Sequence, residues 1–287
     1  MKTTLGLALL ALAALPSLAS AQTIEGDIAL SFGRAPFKST DDADERMAQQ
    51  AYKASGWVGT TFNDWRVFGD LNIYRRSLDG EDYEDLAPGG ARSFGLHFGR
   101  NLGPAYVGGF WGRNQFQGDN SPDFNGYVSG KLYGFEAQYD LAAAGMVPAL
   151  SGLSVFAQAG RADMMGEGTD TGFVGGFARL GVSASFDKVT VTVDYEKGRS
   201  DNVYEDEGDW GEYQGMGLAV DYAFHDRLIG TFGYEKVKLT ANTEDKGYDE
   251  YYSLGIRIPL GASTGKRNNL TTSYRPGLAA AWGETLD

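Results

Sequence analysis

Charged and polar side chains fall at every second position through much of this chain, and that spacing carries its candidate chemistry. In the segment 132–141, Tyr133, Phe135, Ala137, Tyr139 and Leu141 alternate with Gly134, Glu136, Gln138 and Asp140. A period of two puts the two sets on opposite faces of a strand. The same parity along comparable segments collects Glu25, Asp27, Asp70, His97, Glu136, Asp140, Arg179, Asp194, Glu196, Asp221, Glu235 and Arg257 on the polar face. Gathered around a common space, such a set is a wall of carboxylates with a few cations opposite, which favours cations or neutral solutes over anions. The same residues have a second reading, in which the charges pair with one another and fill the interior without conducting.

Other chemistry has less support. The chain has two histidines and no cysteine, so imidazole bases are His97 and His225 alone and no thiol nucleophile exists. The polar-face parity of His97 leaves it between the apolar Leu96 and Phe98, and His225 falls in a short turn. A lipid-active enzyme needs a Ser–His pair on the apolar side, and neither histidine offers one. No His-rich metal spacing occurs. Two acidic runs, Asp79–Asp85 and Glu205–Asp209, resemble no ordered calcium loop and read as solvated charge. No catalytic residue, metal or cofactor is therefore expected. Acidic residues outnumber basic ones 38 to 25, which argues against nucleic acid as a partner.

The elements that must hold this polar face are strands. Twelve segments alternate in this way: 24–33, 56–62, 65–76, 92–100, 105–113, 132–141, 153–161, 173–186, 189–198, 214–224, 228–239 and 251–260. Their apolar faces have almost no amphipathic helix to cover them. Connections alternate between long, polar, acidic stretches and short turns such as Asn63-Asp64 and Asp187-Lys188. The one after the sixth segment is longer but small-residue and uncharged. Strands of about ten residues suit a tilted crossing of a bilayer, and the long/short asymmetry with an even strand number is that of transmembrane barrels. The expected fold is all-β: an antiparallel up-and-down transmembrane barrel of about twelve strands, with fourteen allowed. Its outer valines and leucines touch lipid, and Trp57, Trp65, Trp111, Tyr133 and Tyr195 form interfacial girdles. A soluble periplasmic β-sandwich or lipocalin-like barrel also alternates, but lacks a reason for the regular connections and aromatic outer faces.

Residues 1–21 read as a secretory signal peptide: Lys2, an apolar run from Leu5 to Leu15, and Ala19-Ser20-Ala21 before the cleavage point. The barrel then occupies 22–260 and a tail 261–287. With this architecture the sequence resembles Gram-negative outer-membrane β-barrels of the porin type, over roughly 24–260, without a diagnostic motif. The segment YYSLGIRIPL is similar to a membrane-insertion signal, although such barrels usually end on an aromatic residue and this chain continues to Asp287. The resemblance implies residence in the cell outer membrane, lipid and lipopolysaccharide as surroundings, and passive diffusion of small hydrophilic solutes. A closed structural or adhesive barrel acting through its acidic loops is the alternative. Monomer and homo-oligomer both remain open, since both present apolar walls. The tail is polar and basic before Pro276, which suits the first turn of a helix running to Leu286. It is open to three placements: a free periplasmic tail, a plug, or another strand pair around residues 270–282.

Overall fold

The computed structural model describes residues 23–35, 37–39, 50–77, 88–118, 127–146, 152–166, 172–200, 210–241, 246–261, 263 and 265–283. The signal segment and both acidic runs lie outside the described residues.

Thirteen strands form one antiparallel sheet. They are β1 (Thr23–Arg34), β2 (Phe37–Ser39), β3 (Gln50–Phe62), β4 (Trp65–Ser77), β5 (Pro88–Leu102), β6 (Ala105–Gly118) and β7 (Tyr127–Asp140). There follow β8 (Gly152–Gly166), β9 (Gly172–Phe186), β10 (Val189–Ser200), β11 (Gly211–His225), β12 (Leu228–Ala241) and β13 (Lys246–Gly261). Each long strand pairs with the next, and β1 pairs with β13 from Glu25↔Gly261 to Arg34↔Tyr252, so twelve strands close a barrel. Closure leaves no unpaired edge in a medium that offers the backbone no water. The short β2, unanticipated from sequence, folds back beside β13 at the long-connection end. Every long strand extends past its sequence limits at that end, β3 most of all.

The short turns and both barrel termini share one end. Asn63 and Asp187 open two of those turns with φ of 51°, a left-handed conformation that Asn and Asp tolerate better than other non-glycine residues.

Side chains sort strictly by parity. Ile28, Leu30, Leu96, Phe135, Leu180, Val193, Leu254 and Ile256 point outward and stay exposed. A water-soluble protein rarely exposes apolar surface in so continuous a band; here it is the face that meets hydrocarbon. Trp65, Trp111, Tyr133 and Tyr195 belong to that outer face. Trp57 does not. It stands in register with Asp27 and Asp70, so parity points it inward, where it is 6% exposed and packs edge-on against Phe68.

The tail adds no strand among its described residues. It enters at the short-turn end and ends in α1 (Arg275–Gly283), which contacts β5 to β9, β11 and β12 from inside. Pro276 sits in the first turn, where its missing N–H removes no helical bond. Leu278 and Ala279 bury against Phe116, Met164 and Phe173.

Lipid contact makes a measurable demand. Val193, 46% exposed in mid-strand, should cost about 2–4 kcal/mol when changed to Lys in a bilayer. Urea unfolding of the barrel in phospholipid vesicles measures this. A change within about 0.5 kcal/mol, normal for a water-exposed site, would mean the outer wall meets water.

Candidate channel lumen

All twelve polar-face residues singled out from sequence lie on inward positions of the wall. Strand closure sorts them into tiers along the axis, and in each tier wall carboxylates meet cations or hydroxyls of the tail.

Nearest the short turns, Arg257 on β13 reaches Asp27 on β1 and Asp221 on β11, both at 3.0 Å. Arg257 is 2% exposed, and a buried charge of this kind persists only when paired. The tail adds a second cation: Arg267 binds Asp221 through two nitrogens, at 2.7 and 3.2 Å, and donates to Thr231. Glu25 pairs with Arg66 on β4 at 3.3 Å. Asp140 caps the backbone of Ala143 at 2.9 Å, with Lys266 at 3.7 Å.

The middle tier centres on His97. Its Nε2 lies 2.7 Å from Asp70 and its Nδ1 2.9 Å from Glu136, so a doubly protonated ring donates to both carboxylates. Tyr106 and Gln158 also donate to Glu136, and the His97 ring stacks on Phe68. From the tail, the Thr272 backbone N–H and hydroxyl both donate to Asp70, at 3.1 and 3.0 Å. The Thr272 hydroxyl is also 3.3 Å from His97 Nε2. A hydroxyl beside an imidazole suggests nucleophile and base, but the same nitrogen is closer to Asp70, so the geometry fixes Thr272 rather than activating it.

Above this, Arg179 holds Asp194 at 2.9 Å and donates to the tail carbonyls of Asn269 and Thr271. Arg275 inserts between Asp194 at 2.6 Å and Glu196 at 3.3 Å. Ser273 donates to Glu196, and Tyr213 on β11 also binds it. Glu235 is shared by Lys53 on β3, at 2.7 Å, and the Tyr274 hydroxyl. Burial opposes the charge on Arg275, yet Asp194, Glu196 and Glu235 outweigh it and hold its pKa well above the usual guanidinium value. Burial, reinforced by Glu235, holds the Tyr274 hydroxyl protonated far above its ordinary range.

Inward glycines make room for these contacts. A Cβ at Gly217 would fall 2.3 Å from Asp194 and 2.9 Å from Arg275, and one at Gly95 would meet Thr272, Asp70 and His97. The space they leave is thus occupied by the tail. What stays open beside it is a cavity of about 170 Å³, lined by residues including Asp27, Ser31, Lys53, Asn72, Asp194 and Arg267.

Strand parity assigns the carboxylates and Arg257 to the polar face, but gives no sign of their partners. Thr272, Ser273, Tyr274 and Arg275 carried no strand parity. Their signal was compositional, a basic tail following an acidic wall. The expectation of carboxylates facing free lumen gives way to carboxylates engaged by Arg179, Arg257, Arg267 and Arg275.

No family model and no curated protein matches the chain. Among solved structures, the COG4313 outer membrane channel from Pseudomonas putida F1 is similar with a TM-score of 0.53 at 9% identity, covering 85% of this chain and 98% of that one. The KdgM porin matches at a TM-score of 0.39 and 7% identity, covering 79% and 98%. The β domain of the Bordetella autotransporter BrkA matches at 0.44 and 15%, covering 82% and 99%. At these identities the likeness concerns fold, and the first of the three carries it.

Arg275 is the tail cation that joins two wall carboxylates, Asp194 and Glu196. Arg275→Ala leaves the buried Glu196 with hydroxyl partners and Asp194 with Arg179 alone, a loss of about 3–5 kcal/mol for a broken buried pair. Limited proteolysis of the inserted protein should then cut the tail while the barrel survives. A tail as protected as in the wild type would show that these ion pairs do not hold it. By its strands, closure and apolar outer wall, the chain has the fold of a closed twelve-stranded outer-membrane β-barrel.

Proposed function

We propose that this chain is an outer-membrane channel for small hydrophilic solutes, with a preference for cations, whose conductance its own C-terminal segment restricts. The observation that carries the reading is the nature of the filling. The lower and middle lumen is held largely by ion pairs and hydroxyl contacts, with a polar cavity left beside the tail and one apolar contact, Leu270 of the tail among Trp57, Phe68, Tyr106 and Phe156. Contacts of this kind exchange with water at modest net cost, whereas an apolar core does not. Small solutes passing beside the tail meet Asp27, Lys53 and Asp194. Solutes passing after its withdrawal meet Asp194, Glu196, Asp221 and Glu235 without Arg267 and Arg275 to offset them. No catalytic role falls to His97, whose ring nitrogens are both engaged.

A second reading, a closed structural barrel, is favoured by one feature: the upper end is sealed where Leu278 packs on Phe116 and Met164.

Planar-bilayer recording separates the two. Full-length protein should give small or infrequent steps with weak ion preference. Deleting residues 262–287 should enlarge the steps and shift the reversal potential in a salt gradient towards the cation value, because the wall loses three cations, Lys266, Arg267 and Arg275. A folded, inserted truncation that gives no steps would establish the closed barrel. Large steps with anion preference would overturn the carboxylate mechanism.

A further inference from the structure

The outer wall carries a feature that the lumen does not explain. At the long-connection end, just beyond the apolar band, outward positions on five consecutive strands hold Arg75 (β4), Arg92 (β5), Arg113 (β6), Lys131 (β7) and Arg161 (β8), all exposed. The aromatic residues Trp111 and Tyr133 sit one outward position below Arg113 and Lys131. From Ala105 to Arg113 the strand climbs roughly 26 Å at ~3.3 Å per residue, about 20 Å along the axis at a tilt of ~40°. The cations thus stand where hydrocarbon ends and headgroups begin. In a chain with net charge −13, a one-sided row of bases is not a composition effect.

The row is also poorly neutralised. Arg113 and Lys131 are direct cross-strand partners, and like charges placed opposite each other about 5 Å apart destabilise a sheet unless an anion intervenes. Asp163 is in register beside Lys131, but among the described residues none of the five bases forms an ion pair. The other side of the barrel contrasts with this. At the same height Lys197 pairs with Glu212 at 2.8 Å and Lys236 with Glu250 at 2.9 Å.

We propose that the β4–β8 face is a docking surface for phosphorylated lipid headgroups, namely the phosphorylated glycolipid of the leaflet at the long-connection end. Phosphate oxygens match the fork of an arginine and accept several charge-assisted bonds at once. A headgroup with an acyl anchor lays its chains on Leu96, Trp111 and Phe135 below while its phosphates meet Arg92, Arg113, Lys131 and Arg161. This inference rests on the membrane reading above and assigns the face and the residues that would hold such a lipid.

The test uses the full-length protein inserted in phosphatidylcholine vesicles or nanodiscs with increasing lipopolysaccharide, and native mass spectrometry to count bound glycolipid. Wild type should retain lipopolysaccharide and lose at least about tenfold in affinity when the glycolipid is enzymatically dephosphorylated, with binding weakening as salt rises. The quadruple variant Arg92→Gln, Arg113→Gln, Lys131→Gln, Arg161→Gln should show a similar loss, and Lys197→Gln with Lys236→Gln little. Inorganic phosphate at equal concentration should compete poorly, because it lacks the acyl anchor. Equal binding of dephosphorylated glycolipid by the wild type would overturn the proposal without needing any variant to fold. So would equal losses in the two variants, or displacement by inorganic phosphate alone. A chain that inserts but shows no glycolipid preference defeats this inference only; a chain that stays soluble without detergent defeats the membrane reading beneath it.

Discussion

A carboxylate removed from bulk water must find a partner, and a closed barrel with an acidic inner wall multiplies that demand. Asp27, Asp70, Glu136, Asp194, Glu196 and Asp221 are all buried. The wall meets part of the demand with Arg257 and His97, each bridging carboxylates on two strands, and with Arg179, which holds Asp194. Among the described residues, its own inner face forms no ion pair with Glu196. Arg275 of the tail forms one, and Arg267 shares Asp221 with Arg257. The tail is therefore part of the barrel's electrostatic structure as much as an obstruction of its lumen. Removing one partner of a buried pair costs far more than the pair contributes net, which makes the charged tiers specific: the tail fits in one register, with Thr272 at Asp70 and Arg275 at Asp194.

The outer wall answers to a different solvent. Its side chains need no polar partner within the apolar band, while the backbone is satisfied by the ladder alone. This division explains why strand parity is so regular. A one-residue slip would put Asp194 into hydrocarbon and Val193 into the lumen, and each error would cost several kcal/mol. The basic row on β4–β8, without an ion pair among the described residues, is where the outer wall departs from this rule, just past the aromatic margin.

Much of the fold could be read from the chain because both of its determinants are local. Parity along 132–141 or 189–198 needs no knowledge of neighbours, and turn chemistry at Asn63 and Asp187 is confined to a few residues. Trp57 was misplaced because it stands near the start of the segment 56–62, and Ser55 and Lys53, which share its inward parity, fall outside that segment. Partnerships were not legible, because they depend on closure. The contact between Asp27 and Arg257 exists only because β1 meets β13, and that of His97 with Asp70 and Glu136 depends on the register of β4 to β7. The tail was harder still. Thr272 and Arg275 lie in no periodic segment, and the inward glycines that receive them read equally as curvature or as open lumen. Comparing the charge of the tail with that of the inner face was the one signal that pointed to their association.

The central claim is that residues 265–283 lie inside the barrel in the folded, membrane-inserted protein. The chain contains no cysteine, so a single one introduced at Thr272, which is 3% exposed, reports on its surroundings without background. In vesicles, a charged maleimide should label Thr272→Cys many-fold more slowly than it labels the same variant in urea, on whichever side it is added. Rapid labelling of the native, inserted protein from either side would place the tail outside the lumen and contradict the account.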